Sequence, residues 1–455
     1  MSSVVELLPA YYWVSVAIAA YLLVEALVRN REAWARPAIA VYLTIGGWYF
    51  TEPFYFELDF FVHDPAAISA AYGQVGLFLV AFRMMVGPLS RTFAPPLDRR
   101  GRALPEFPVG RLLGAAAVLW VVVLLFGVWR MQGDLFHSLF PTGGRTAPNM
   151  WSRAAGQDAG ATGFIVSSAS YIYVLVLAVF GMLLPFSRTG TQRTVALILI
   201  AISWPFAFLQ GSRNLLLAVA MPSLLSYYFF DRANRVQKLA VCAIAFLVLN
   251  YAMTLMISLR DVGFSGFLHG DKVNYQPHNG LNMASELVYI NEFLDRGMLH
   301  LSYGGRYLAE LVNFVPRAIW PNKPLIGIDY AVLRGFGGQQ RDTGVYATLS
   351  TGVIGQGVVN FGRLLGPMVA ALLMSAWVGL LARLWVQRTL LRACLFLLGI
   401  GLTFNMGRDL SLLVMWPFVF AFVAVKYLEG GGASGKFRLE RHSEGQLLRR
   451  PIMDA

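Results

Sequence analysis

Residues 346–362 read YATLSTGVIGQGVVNFG, and whether they cross a membrane or turn back decides the topology of everything around them. The run is moderately apolar, yet it carries four glycines and several polar groups among its seventeen residues. Counted as a full crossing, it would move Arg383, Arg388 and Arg392 to the opposite side from every other short basic loop. Broken backbone is tolerated at membrane depth where it lines a protein cavity. The segment is therefore expected to re-enter rather than span.

Working outward, apolar runs long enough to cross about 30 Å of hydrocarbon are expected at about 10–28, 38–54, 66–87, 112–129, 164–184, 194–210, 214–230 and 239–257. Three more follow at about 364–382, 391–407 and 410–428. The expected fold is an all-α polytopic integral membrane protein with about eleven transmembrane helices, a re-entrant segment and one large outer loop. Its divisions are helices 1–8 within 1–257, a cap with the re-entrant segment at 258–363, helices 9–11 within 364–428, and a flexible basic tail at 429–455. The tail's EGGGASGK has the composition of a flexible linker.

Composition agrees. Hydrophobic residues make up 57% of the chain and charged ones 14%, well under the share usual in soluble domains, and mean hydropathy is +0.57. The formal net charge of +12 could suggest nucleic acid, but its distribution excludes that. Arg29, Arg31 and Arg36 follow the first run; Arg91, Arg99, Arg100, Arg102 and Arg111 follow the third. Arg188 with Arg193, Arg232 with Arg235 and Lys238, Arg383 to Arg392, and the tail arginines complete the pattern. Basic residues in alternate short loops mark the cytoplasmic side. The amino terminus is then outside, and with no basic n-region it is expected to stay attached. Cys242 and Cys394 lie inside apolar runs, so neither a disulfide framework nor a metal cluster is implied.

Chemistry is expected in the polar island Ser258 to Val345, because so many ionisable groups beside a membrane need water or protein partners. Arg260, Arg306, Arg317 and Lys323 lie in it, near its ends. Arg213, in the turn QGSRN, and Arg408, in NMGRDLS, sit at junctions between runs on the same outer side. A guanidinium there stays charged, and its fixed fork of donors suits a phosphate or diphosphate; the plainer alternative is snorkelling to head groups or pairing with a neighbour such as Asp409. Trp320 and Tyr330 read as interfacial anchors or a sugar-stacking platform. For acid and base work the outer side offers Asp261, Glu310, Asp342 and Asp409, with His269, His278 and His300. Asp342 ranks first because it precedes the glycine-rich segment, and Asp409 second. Neither HExxH nor CxxC occurs outside, so no metal and no cofactor is expected.

The order of motifs resembles the bacterial oligosaccharide repeat-unit polymerases, the Wzy proteins, and especially their enterobacterial common antigen branch. The matching pieces are GSRN at 211–214, ISLRDVGFSG at 257–266, FVPRAIWPNKP at 314–324, GVYATLSTGVIGQGVVNFGRLLGP at 344–367 and FNMGRDL at 404–410. They cover about residues 200–425; the first 200 resemble the family only in hydropathy. Many relatives carry Glu where this chain has Gln356, so no acid role is carried to that position.

The resemblance implies a GT-C-like, metal-independent glycosyltransferase of the bacterial inner membrane, with its large loop and active site on the periplasmic side. Such enzymes move a growing glycan from undecaprenyl diphosphate to the non-reducing end of an incoming lipid-linked repeat unit. Their partners are that undecaprenyl-diphosphate-linked oligosaccharide, membrane lipids, a chain-length regulator and a flippase. Arg213, Arg260, Arg317 and Arg408 would grip the donor diphosphate with help from Lys323, while Asp342 would take the acceptor proton. An O-antigen ligase, with His278 or His300 in its outer loop, is the nearest alternative. A transporter or flippase of lipid-linked sugar is the other; it would call for charges within spans and paired halves, and neither is evident.

Overall fold

The structure is a computed structural model that describes residues 2–55, 57–93, 107–143, 147–152, 161–210, 213–259, 262–270, 282–312, 315, 320, 322, 324, 327–335, 349–387, 389–410 and 412–431. Among these residues the chain is helical and contains no strand. The principal helices are α1 (Ala10–Val28), α2 (Ala35–Ile45, continued by a π turn Gly46–Phe50), α3 (Pro65–Phe93), α4 (Val109–Arg130), α5 (Ala161–Leu183), α6 (Gly190–Leu209) and α7 (Arg213–Phe230). They continue with α8 (Arg235–Ser258), α9 (Met283–Asp295), α10 (Gly305–Leu311), α11 (Ile328–Leu333), α12 (Val353–Gln387), α13 (Leu390–Met406) and α14 (Leu412–Gly431).

Each of the eleven expected runs is helical, and seven helices among the described residues are long and apolar enough to cross a membrane; α7 and α13 are shorter apolar helices. Their outward faces are greasy: Val118, Val122 and Leu125 on α4, and Ile244, Leu247 and Tyr251 on α8, are exposed. A surface of that kind is stable against lipid, not water. α3 and the later part of α12 form the centre, running side by side in the same direction. Ser375 bonds the Phe82 carbonyl at 3.4 Å, and Gly379 lets the Phe93 ring approach where a Cβ would come within 2.8 Å. Phe78, Phe82 and Val378 are fully buried in the core the two helices share.

The bundle has two chemically different ends. At one end Arg83 makes a bidentate pair with Glu25 at 2.7 and 2.6 Å, Arg36 lies over the Trp385 ring at 4.7 Å, and Arg392 grips Glu429 through two 2.7 Å bonds. The helix ends bearing Arg188 and Arg232 meet there too, through Phe186 against Phe230. Arg36, Arg188, Arg232 and Arg392 are among the arginines that the sequence groups into alternate loops, whereas Arg83 lies within the third expected run. α9, α10 and α11 lie at the opposite end.

α12 is not one rod. Gly362 has φ 80° and ψ 179°, a region open essentially to glycine alone, and the chain doubles back there. Gly357 then rests on Gly366 so closely that a Cβ on Gly357 would stand 2.2 Å from the Gly366 carbonyl oxygen. The expected re-entrant segment is thus a short buried helix, 353–361, folded against the start of the long helix 363–387.

α9, within the polar island, is no solvated loop but a buried part of the bundle, packed on α3 and α12. Its Asn291 and Gln74 of α3, both buried, exchange amide bonds of 2.8 and 3.1 Å. The buried Glu52 carboxylate accepts from the backbone N–H (3.0 Å) and the hydroxyl of Ser285 in the first turn of α9, as an anion at a helix amino terminus should.

Candidate functional site

The short helix 353–361 is held at its start by backbone. Gly352, at φ 76°, passes so close to Tyr49 that a Cβ would stand 2.4 Å from the phenol oxygen. That phenol oxygen receives the Ile354 N–H at 3.2 Å, and Val353 N–H donates to the Gly407 carbonyl at 3.1 Å. Gln356 then clamps the next turn from both sides: its Nε2 donates to the Leu410 carbonyl at 3.2 Å, and its Oε1 accepts the Leu410 N–H at 3.1 Å. A carboxylate could only accept there. The amide at 356 therefore fixes the turn 407–410, which explains locally why this chain carries Gln at that position.

On this turn stand Arg408 and Asp409. Arg408 donates its Nε to Ser350 Oγ at 2.7 Å, and no other described residue takes its terminal nitrogens. Asp409 Oδ1 accepts the Thr351 N–H at 3.2 Å. Burial pushes the Asp409 carboxyl up to about 6, against the pull of the Ser350 hydroxyl, Arg408 and Thr351.

α10 lies against the same hairpin. Asn360, fully buried, accepts the Arg306 N–H at 3.2 Å and the Ser302 hydroxyl at 2.9 Å, and donates to the Gln356 carbonyl at 2.7 Å. Tyr307 stacks on Phe361 with ring centres 6.3 Å apart. Tyr307 and Glu310, one turn apart, face Asp409. Glu310 is 8% exposed, and its Oε2 has no hydrogen-bond partner among the described residues; the Tyr307 hydroxyl also has none. Burial, and then the Asp409 charge, lift the Glu310 carboxyl to about 8. The same two causes raise the Tyr307 phenol.

Of the expected site residues, Arg408, Asp409 and Arg306 meet around this hairpin. Arg306, expected as a ligand-binding cation, is nearly buried and already paired with Asp329 at 2.5 Å. Arg213 begins α7 at the same end, since Asn405 donates to the carbonyl of its neighbour Asn214 at 3.4 Å. The end of α8, just before Arg260, comes to this region through Met256, which shares a small buried core with Leu216 of α7. Arg260, Arg317, Lys323 and Asp342 lie outside the described residues, as does the Arg213 side chain. Trp320 is 39% exposed. Tyr330 is neither anchor nor platform: it is fully buried and donates its phenol to Glu286. His269 turns its Nδ1 to the Ser265 carbonyl at 2.6 Å, His300 is exposed, and His278 lies outside the described residues.

The sequence did not reveal a second polar cluster behind α9. There Glu286 binds Tyr330 and Arg334, whose guanidinium stacks 3.5 Å from the Tyr289 ring centre. Glu292 takes the Asp64 N–H and His63 Nδ1, each at 3.1 Å. Every carboxylate in that cluster has partners, so it fastens the fold, whereas one buried oxygen of Glu310 has none among the described residues. An acid in the otherwise apolar LAEL of 308–311 was the available signal for Glu310. No family model, no curated protein and no solved structure matches the chain.

Proposed function

We propose that the protein is a polysaccharide polymerase of the bacterial inner membrane. It transfers a growing glycan from undecaprenyl diphosphate to the non-reducing end of a lipid-linked repeat unit at the periplasmic face, without a metal ion. The observation that carries this reading is the grouping of Arg408, Asp409, Glu310 and Tyr307 around the hairpin at Gly362, at the end away from the bundle's paired arginines. The motif order resembling Wzy proteins supplies the substrate class.

Glycosyl transfer from a lipid diphosphate needs two things of the protein. The departing diphosphate gains negative charge in the transition state, which pre-placed guanidinium donors stabilise more than they stabilise the ground state. Arg408, with terminal nitrogens open among the described residues, fills that role, and Arg213 begins its helix at the same end. The attacking hydroxyl must also lose a proton, and buried carboxylates of raised pKa serve as acceptors near neutral pH.

The test is purified protein incubated with a lipid-diphosphate repeat unit in EDTA. A ladder of longer lipid-linked products is expected. Intact substrate without chain growth, strict dependence on a divalent ion, or transfer only to a lipid A core would each overturn the reading. Arg408→Lys keeps the charge but loses the fork, and its rate is expected to fall on the order of 10²-fold while the protein still inserts.

A further inference from the structure

We propose that Glu310 and Asp409 act as a one-proton dyad over the acceptor sugar: the ionised carboxylate takes the proton from the attacking hydroxyl, and the protonated one holds that sugar by a hydrogen bond. The proposal rests on the glycosyl-transfer reading above and assigns Glu310 to its site.

Two buried oxygens without a hydrogen-bond partner among the described residues, one from Glu310 and one from Tyr307, lie near Asp409. Buried polar atoms in native proteins are nearly always paired, so such a set calls for an occupant. The contrast within the molecule is direct, because buried Glu52, Glu286 and Glu292 all have their partners. The occupant must both donate and accept, since it meets a carboxylate, a carboxyl and a phenol; a sugar hydroxyl does both. Arg408 beside Asp409 already supplies positive charge, which favours a neutral hydroxyl over a cation there.

Like charges so placed do not both ionise. The groups facing the pair among the described residues are Tyr307 on α10, Tyr49 after α2, and Arg408; Arg306, one turn before Glu310, is turned to Asp329. With Asp409 up at about 6 and Glu310 at about 8, one proton stays with the pair at neutral pH, chiefly on Glu310. In the step itself the acceptor O–H bond breaks and its proton passes to Asp409. The acceptor oxygen bonds the donor's anomeric carbon, and the bond from that carbon to the diphosphate oxygen breaks with its electron pair leaving on the diphosphate.

Two measurements on the full-length protein test this. Infrared difference spectra of the substrate-free protein are expected to show a protonated-carboxyl C=O stretch at pH 7 that titrates away by about pH 9 and is absent in Glu310→Gln. A wild type without that band, or a variant that keeps it, overturns the dyad whatever the activity. In the chain-growth assay Glu310→Gln and Asp409→Asn are expected to lose about 10²- to 10⁴-fold in kcat with donor affinity kept, and Glu310→Asp to recover part of the loss. Wild-type growth with an unchanged rate and pH profile in Glu310→Gln sinks the dyad but leaves the polymerase reading standing. A wild type that binds donor and never extends it sinks that reading, and the proton transfer with it, while the infrared result is judged separately.

Discussion

Glu310 binds a proton in the folded protein that it would release on unfolding. Its carboxyl stands at about 8 against an ordinary 4.5, chiefly because burial disfavours the charge. Between those values the native state holds more protons than the unfolded chain, so this group's contribution to stability is complete below about pH 4.5 and is lost as pH rises through about 8. Asp409 adds the same sign over a lower window, ending at about 6. The apparent melting temperature in detergent is therefore expected to fall from pH 5 to pH 9, and Glu310→Gln to flatten the upper part of that fall; equal slopes in the two proteins would refute it. Both acids could be picked out in the sequence as candidates for proton transfer. Their meeting could not, because it depends on the turn 407–410 being clamped by Gln356 and on α10 lying across the same hairpin. Arg306 shows the opposite limit: its basic character was plain, but its use in an ion pair with Asp329 was not.

Turning back at Gly362 is the feature of the elements on which the site most depends. Glycine spacing in 346–362 and the sidedness of the flanking arginines were enough to expect a fold-back. Which glycine turns the chain, and which permits contact, is decided by the packing, since any of the four would serve in a pattern argument. Gly362→Ala places a side chain in a glycine-only conformation and is expected to cost about 1–3 kcal/mol. Gly357→Ala drives a methyl into the Gly366 backbone, which cannot swing aside as a side chain can, and should cost at least as much. Gly114→Ala on α4, where a Cβ meets nothing within 4 Å, is the control and should be neutral or stabilising by up to about 1 kcal/mol. Thermal unfolding of the three variants gives the comparison, and a Gly357→Ala protein as stable as the control would refute the close packing.

At the scale of the whole molecule, the helical, polytopic character was legible because lipid demands length, and seven helices among the described residues meet that demand. Less legible was the interior of the polar island, whose α9 is buried by pairing its polar groups with Glu52, Gln74 and Arg363. Hydropathy counts such groups as exposed; it cannot see their partners. The paired-arginine end is expected to face the cytoplasm. Single cysteines at exposed His137 and Arg232, in a Cys242→Ser background, test this with an impermeant maleimide on intact spheroplasts. His137→Cys is expected to label and Arg232→Cys only after lysis; the reverse pattern would invert the topology.

The reciprocal amides of Gln74 and Asn291 have a mechanical consequence. Slipping α9 along α3 by one turn would strand two donors and two acceptors in a dry interior, so the pair acts as a detent that admits a single register. Any breathing at this end of the molecule must then carry α3 and α9 as one piece, and relative movement falls to the elements that are not so latched.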